Sequence, residues 1–128
     1  MAEIVDFDES QYRRDSLFDC VHQNIDTVIN KVVVYLGARA NSPTVNGLKT
    51  LIAFELDGKK SAFYTDSKRL RMIATDPNRQ YPFRSVIKVV RYGNYYIGFD
   101  FFAPTTPITQ EDIENFNFYQ RTKFKTWK

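Results

Sequence analysis

Cysteine, histidine and glycine are scarce in this chain, and each scarcity removes a class of chemistry. Its 128 residues include one cysteine, Cys20, one histidine, His22, and five glycines. A lone cysteine permits no intrachain disulfide and no multi-cysteine zinc site, which agrees with a reducing compartment. A histidine-rich metal site, or a Cys–His or Ser–His dyad, would have to use His22, two residues beyond Cys20. Residues at i and i+2 do not face each other on a helix, so a surface histidine beside a packed cysteine is the simpler reading. No glycine-rich phosphate loop, zinc-metalloprotease helix or paired-carboxylate spacing is present. The sequence therefore points away from an enzyme and implies neither metal nor cofactor. Long apolar runs are missing as well, since no window approaches about 18 consecutive apolar residues. The N-terminus MAEIVDFDES is acidic where a signal peptide would be basic and then apolar. The expectation is a soluble, cytoplasmic, single-domain protein without a membrane partner.

Charge and aromatic rings are what the chain has in quantity. Residues 1–26 hold seven acids against Arg13 and Arg14, a balance of −5, which leaves +8 of the overall +3 on residues 27–128. An acidic arm thus precedes a basic body, and a basic body favours a polyanion such as nucleic acid. The 11 phenylalanines, eight tyrosines and one tryptophan are more rings than a small domain buries completely.

The firmest local signal is FELDGKKSAFYT, residues 54–65. Asp57-Gly58 is a two-residue type I′ turn, because Gly accepts the positive φ this turn demands. The turn fixes the register: Leu56 opposite Lys59, Glu55 opposite Lys60, Ala53 opposite Ala62, Ile52 opposite Phe63, and Leu51 opposite Tyr64. Thr50, Ile52, Phe54, Leu56 and Phe63 then face the core, while Lys49, Glu55, Lys60 and Tyr64 face away. After Tyr64 the spacing turns helical, with Leu70, Ile73 and Ala74 as the apolar stripe, Thr65 or Asp66 as cap, and Asp76-Pro77-Asn78 as stop. Upstream, INKVVVYLGARA reads as a long strand with Val32, Val34 and Leu36 inward and Lys31, Tyr35 and Arg39 outward, ending in the loop NSPTVNG. Downstream, PFRSVIKVVRY and NYYIGFDFF are two more strands turning around Tyr92-Gly93-Asn94.

Five strands with a helix between the third and fourth is the order of the OB-fold, a five-stranded Greek-key barrel. An open meander, an SH3-like barrel or a pleckstrin-like sandwich would fit a subset of these elements. The barrel spans residues 28–103. The acidic arm 1–27 has Leu17, Phe18 and Val21 at helical spacing. Residues 104–128 begin with a capping box at Thr109 and Asp112 and end in a basic, aromatic tail whose period of two reads as strand-like.

The run Tyr64-Thr65, Ser67-Lys68-Arg69-Leu70, Pro82-Phe83 and Tyr95-Tyr96 resembles a pattern of small phage and mobile-element OB-fold single-stranded DNA-binding proteins, over roughly residues 28–102. This resemblance implies a non-sequence-specific single-stranded DNA-binding protein, with replication or recombination proteins as partners. RNA is a second ligand to test, and a homodimer a second use for the tail. The outward row Lys31, Tyr35, Arg39, Lys49, Lys60 and Tyr64, with Arg91 and Tyr92, would line the binding path across the middle strands and between the loops. Arg84 and Lys88 would add charge, or protect a strand edge. The rival class is a protein-binding phage module, structural or for host takeover, whose surface rings meet protein instead.

Overall fold

The computed structural model describes residues 17–93 and 96–125, apart from the side chains of 123–125. The acidic stretch 3–9, Asn94 and Tyr95 of the last turn, and the tail side chains from Lys123 onward lie outside the described residues. Six strands make one sheet: β1 (Val21–His22), β2 (Val32–Thr44), β3 (Gly47–Leu56), β4 (Lys59–Thr65), β5 (Phe83–Tyr92) and β6 (Tyr96–Phe102). Helix α1 (Lys68–Ala74) joins β4 to β5, helix α2 (Gln110–Lys125) follows β6, and a 3-10 turn, Ile25–Thr27, precedes β2. The strands lie in the order β1-β4-β3-β2-β5-β6. The protein is thus predominantly β with short helices, as the sequence predicts. It differs from a closed five-stranded barrel in its added strand β1 and in having no β4–β6 ladder among the described residues.

The β3–β4 hairpin has the register its turn dictates, from Leu56↔Lys59 to Thr50↔Thr65. Asp57 and Gly58 take φ values of 53° and 76°, the left-handed conformation a type I′ turn needs. Ile52, Phe54 and Phe63 enter the main core with Val33, Ile87, Val89 and, from α1, Leu70 and Ala74. Ser67 caps α1 instead of Thr65 or Asp66, its hydroxyl accepting the Leu70 N–H at 3.2 Å. Thr65 is the last residue of β4 and is buried, so the helix can start only beyond it.

Strand β2 is out of phase with the sequence reading. Val33 and Tyr35 point inward and Val32 is exposed. Five consecutive apolar residues, Val32 to Leu36, carry no alternation from which to read a phase. A bulge then places both Leu36 and Gly37 against Ala53, since Tyr35 pairs Phe54 and Gly37 pairs Ala53. Inward residues are odd before the bulge and even after it, so Arg39 still faces outward. The stretch NSPTVNG is not a loop either. β2 continues to Thr44, with Asn41 at φ 57° taken up in a second irregularity, and the hairpin closes at Val45-Asn46. Beyond Tyr35, β2 has no β5 partner on its other side, and an edge of that kind tolerates Pro43.

Two terminal expectations change as well. Residues 17–20 form a turn and Val21–His22 add to β4 as a parallel strand, where helical spacing predicts a helix. The uncovered edge of β4 wins over local propensity: the Gln23 N–H donates to the Ala62 carbonyl at 2.7 Å. At the other end, α2 runs through the segment read as strand-like. Its Thr109–Asp112 capping box is complete, with the Thr109 N–H donating to Asp112 Oδ2 at 2.8 Å and the Asp112 N–H to Thr109 Oγ1 at 3.2 Å. No glycine or proline between Gln110 and Lys125 stops the helix once it has started.

Candidate nucleic-acid interface

The outward face of β2, β3 and β4 is where the sequence places the binding row, and the N-terminal segment covers its centre. Leu17, Phe18 and Cys20 pack on Leu36, Leu51, Ala53, Ala62 and Tyr64 as a second apolar cluster. Gly37 makes room for this strap, because a Cβ there would collide with Leu17 Cδ2. Arg39 lies over the Phe18 ring at 4.9 Å, and its Nε donates to Ser42 Oγ at 3.2 Å. Burial pushes the Cys20 thiol up, with the Asp19 charge adding to it, so the thiol is not activated as a nucleophile.

Two of the predicted site residues, Tyr35 of the row and Lys88 beside it, are inside the protein. Tyr35 is fully buried against Phe83 and Phe101, with ring centroids at 5.4 and 5.2 Å. Its hydroxyl has no hydrogen-bond partner among the described residues, and burial drives its phenol far above the ordinary range. The phase of β2 is the cause. Lys88 is buried because α2 closes over it: Nζ donates to Asp112 Oδ2 at 2.7 Å and to the Pro107 carbonyl at 2.9 Å. Its partner lies 24 residues along the chain, out of reach of strand alternation. Lys31, Lys60 and Arg84 are exposed as predicted but stand apart from one another, Lys60 opposite Glu55 and Arg84 opposite Val34. Arg91 is exposed and its guanidinium lies over Phe118 at 4.0 Å.

Lys49, Tyr64 and Tyr92 do come together. The sheet curls until β4 and β6 face each other across α1, leaving an open cleft of about 660 Å3 between them. Its walls include Lys49, Tyr64, Asp66, Lys68 and Arg69 on one side and Tyr92, Ile97, Gly98 and Phe99 on the other, with Tyr119 of α2 and Gln23–Ile25 at its ends. Gly98 lets the Tyr92 ring lie across β6, since a Cβ there would stand 3.1 Å from Tyr92 Cε2. The Tyr64 ring meets His22 edge-on at 5.2 Å, and Tyr119 meets Phe99 edge-on at 5.2 Å. Burial, with a contribution from Asp26, pushes the Tyr119 phenol up to about 12, so it stays a neutral group at physiological pH. Two ion pairs cross this region, Lys49 to Asp66 at 3.2 Å and Arg69 to Asp100 at 3.1 Å. Lys68 is exposed and has no ion pair among the described residues.

Sequence reasoning missed Lys68, Arg69 and Tyr119 as site residues. The first two were visible as off-stripe positions at the start of α1, pointing away from the Leu70 face. Tyr119 had no such signal, because its place depends on how α2 docks.

The arrangement offers rings for stacking and cations for phosphate. Among the described residues there is no cluster of three or more metal-ligating side chains, and no helix is long and apolar enough to cross a membrane. Searches of curated proteins and of solved structures return no match. Residues 19–102 match a family described as a domain of unknown function, DUF8468. The match runs from the strap to the end of β6 and covers more than half of the chain, so the protein belongs to the DUF8468 family.

Proposed function

We propose that the protein binds single-stranded nucleic acid without sequence specificity, in the cleft between β4, α1 and β6. One observation carries this reading: the curled sheet gathers Tyr64 and Tyr92 with Lys49, Lys68 and Arg69 around a single concavity of about 660 Å3. Single strands are held by rings on which bases stack, at ~1–3 kcal/mol per base, and by cations that track the phosphates. Neither needs a recognition helix in a major groove. The strand order supports an OB-fold reading. β5 returns to lie beside β2, the Greek-key order, β6 follows it, and the helix sits between the third and fourth strands of the set β2–β6. In that fold oligonucleotides cross the middle strands; here the strap occupies that face and leaves the cleft as the path. A role in DNA replication or recombination, in a phage or mobile element, follows from the sequence resemblance.

A gel-shift series with poly-dT, duplex DNA and RNA at two salt concentrations tests the proposal. The expected result is preference for single strands, with affinity falling as salt rises. Tight, salt-insensitive binding to duplex alone, or no binding at all, would refute it. A second reading, a protein partner, is favoured by the β2–β3 hairpin tip, where Val45 is fully exposed and Leu48 largely so. Absence of nucleic-acid binding at low salt would turn attention there.

A further inference from the structure

We infer that Asp66 and Asp100 limit the strength of nucleic-acid binding by holding two of the cleft's cations until phosphate takes their place. The inference rests on the cleft being the nucleic-acid site. The two pairs are built differently. Lys49 is largely enclosed while the Asp66 side chain is 74% exposed, so the base belongs to the wall and the acid can leave. Asp100 is fixed, because its Oδ1 also accepts the Phe101 N–H at 2.8 Å; there Arg69, with its side chain 58% exposed, is the partner that can leave. Neither exchange disturbs the core. Pairs as exposed as these contribute little to folding. Among the lining cations Lys68 is the one with no ion pair among the described residues.

The consequence appears in the salt dependence. An unpaired lysine that meets a phosphate releases a counterion from the nucleic acid, and on single strands each such contact steepens the log–log salt slope by about 0.7. A lysine already paired with a carboxylate makes the same contact, but the abandoned carboxylate takes up a cation. That exchange is nearly salt-neutral. The native protein is therefore expected to bind with a shallow slope, and each carboxylate removed should add about 0.7 to it.

The test is fluorescence anisotropy on labelled poly-dT over a series of salt concentrations, with Asp66→Asn, Asp100→Asn, both together, and Asp57→Asn as control. Asn at position 100 keeps an oxygen for the Phe101 N–H. Asp57 sits in the hairpin turn at φ 53°, which Asn adopts readily, and its removal makes the same change in net charge. It lies at the far end of β4, about 20 Å away at strand rise, well beyond a screening length of about 8 Å. The expected result is several-fold tighter binding at low salt for each cleft variant, a slope steeper by about 0.7 singly and about 1.4 together, and native behaviour for Asp57→Asn. If the native protein binds and both cleft variants match the control in affinity and slope, the inference is overturned and the nucleic-acid reading stands. If none of the proteins binds poly-dT, both fall.

Discussion

Replacing Lys88 with methionine tests whether this lysine belongs to the core or to a binding surface. Its side chain is 6% exposed and that of Asp112 is 13% exposed, with 2.7 Å between Nζ and Oδ2. Methionine keeps most of the stem's volume, so the loss is electrostatic and not a cavity. Removing one partner of a buried pair costs about 3–5 kcal/mol, chiefly for the charge left behind. Asp112 keeps its hydrogen bond from the Thr109 N–H and some contact with water, which places the cost near the lower end, about 3 kcal/mol. For a chain of this size that is a fall in melting temperature of about 12 °C. The pH dependence sharpens the test. Burial alone would raise the Asp112 carboxyl, but hydrogen bonds from Lys88 and Thr109 outweigh it and hold the group below its ordinary value. A lowered carboxylate contributes stability that is present above its unfolded pKa and is lost as pH falls through the folded one. Without Lys88 the carboxyl shifts upward, so the deficit of the Lys88→Met variant is greatest at neutral pH and shrinks on acidification as Asp112 takes up a proton. Urea unfolding at neutral and acid pH measures this, and Asp112→Asn in the same background should recover part of the loss. A deficit under about 1 kcal/mol, or one that ignores pH, would refute the assignment. A folded variant with a weaker nucleic-acid salt slope would return Lys88 to the surface.

Tyr35→Phe is expected to leave stability unchanged or raise it by up to about 1 kcal/mol, because the hydroxyl is buried without a partner among the described residues; a clear loss in thermal melts would mean that the oxygen is bonded. Tyr92→Ala should weaken single-strand binding by ~1–3 kcal/mol with little change in melting temperature, and unchanged affinity in anisotropy would remove it from the site. Phe18→Ala should loosen the strap by about 1–3 kcal/mol and admit protease near residue 20, and resistance equal to the native protein would show that the strap does not depend on that ring.

Legibility followed how local each cause was. The β3–β4 register could be read to the residue because a two-residue turn and two alternating strands fix it within 16 residues. The ends of β5 and β6 were readable for the same reason, with Pro82 before the one and the Gly93 turn between them. Strand β2 was not, since Val32 to Leu36 carry no polar residue to set the phase and the bulge at Leu36-Gly37 leaves no mark of its own in the sequence. Lys88 sits at an alternating position that reads as outward, and only the docking of α2 encloses it. The cleft was half legible: Lys49 and Tyr64 come from the hairpin, but their meeting with Tyr92 depends on the curl of the whole sheet, a long-range property no window contains.

β2 is the one strand that belongs to both halves of this sheet. It pairs with β3 for most of its length and with β5 over only four residues, Val32 to Tyr35. The halves β1-β4-β3 and β5-β6 therefore share a short spine on one side and face each other across a gap on the other, like the covers of a book. Twist along so short a spine is felt most at the far edges, and the spine is braced at Tyr35, whose ring meets Phe83 tilted and Phe101 edge-on while those two rings also touch each other. The ring that strand phase turned inward thus stands at the end of the four pairs that join the two covers.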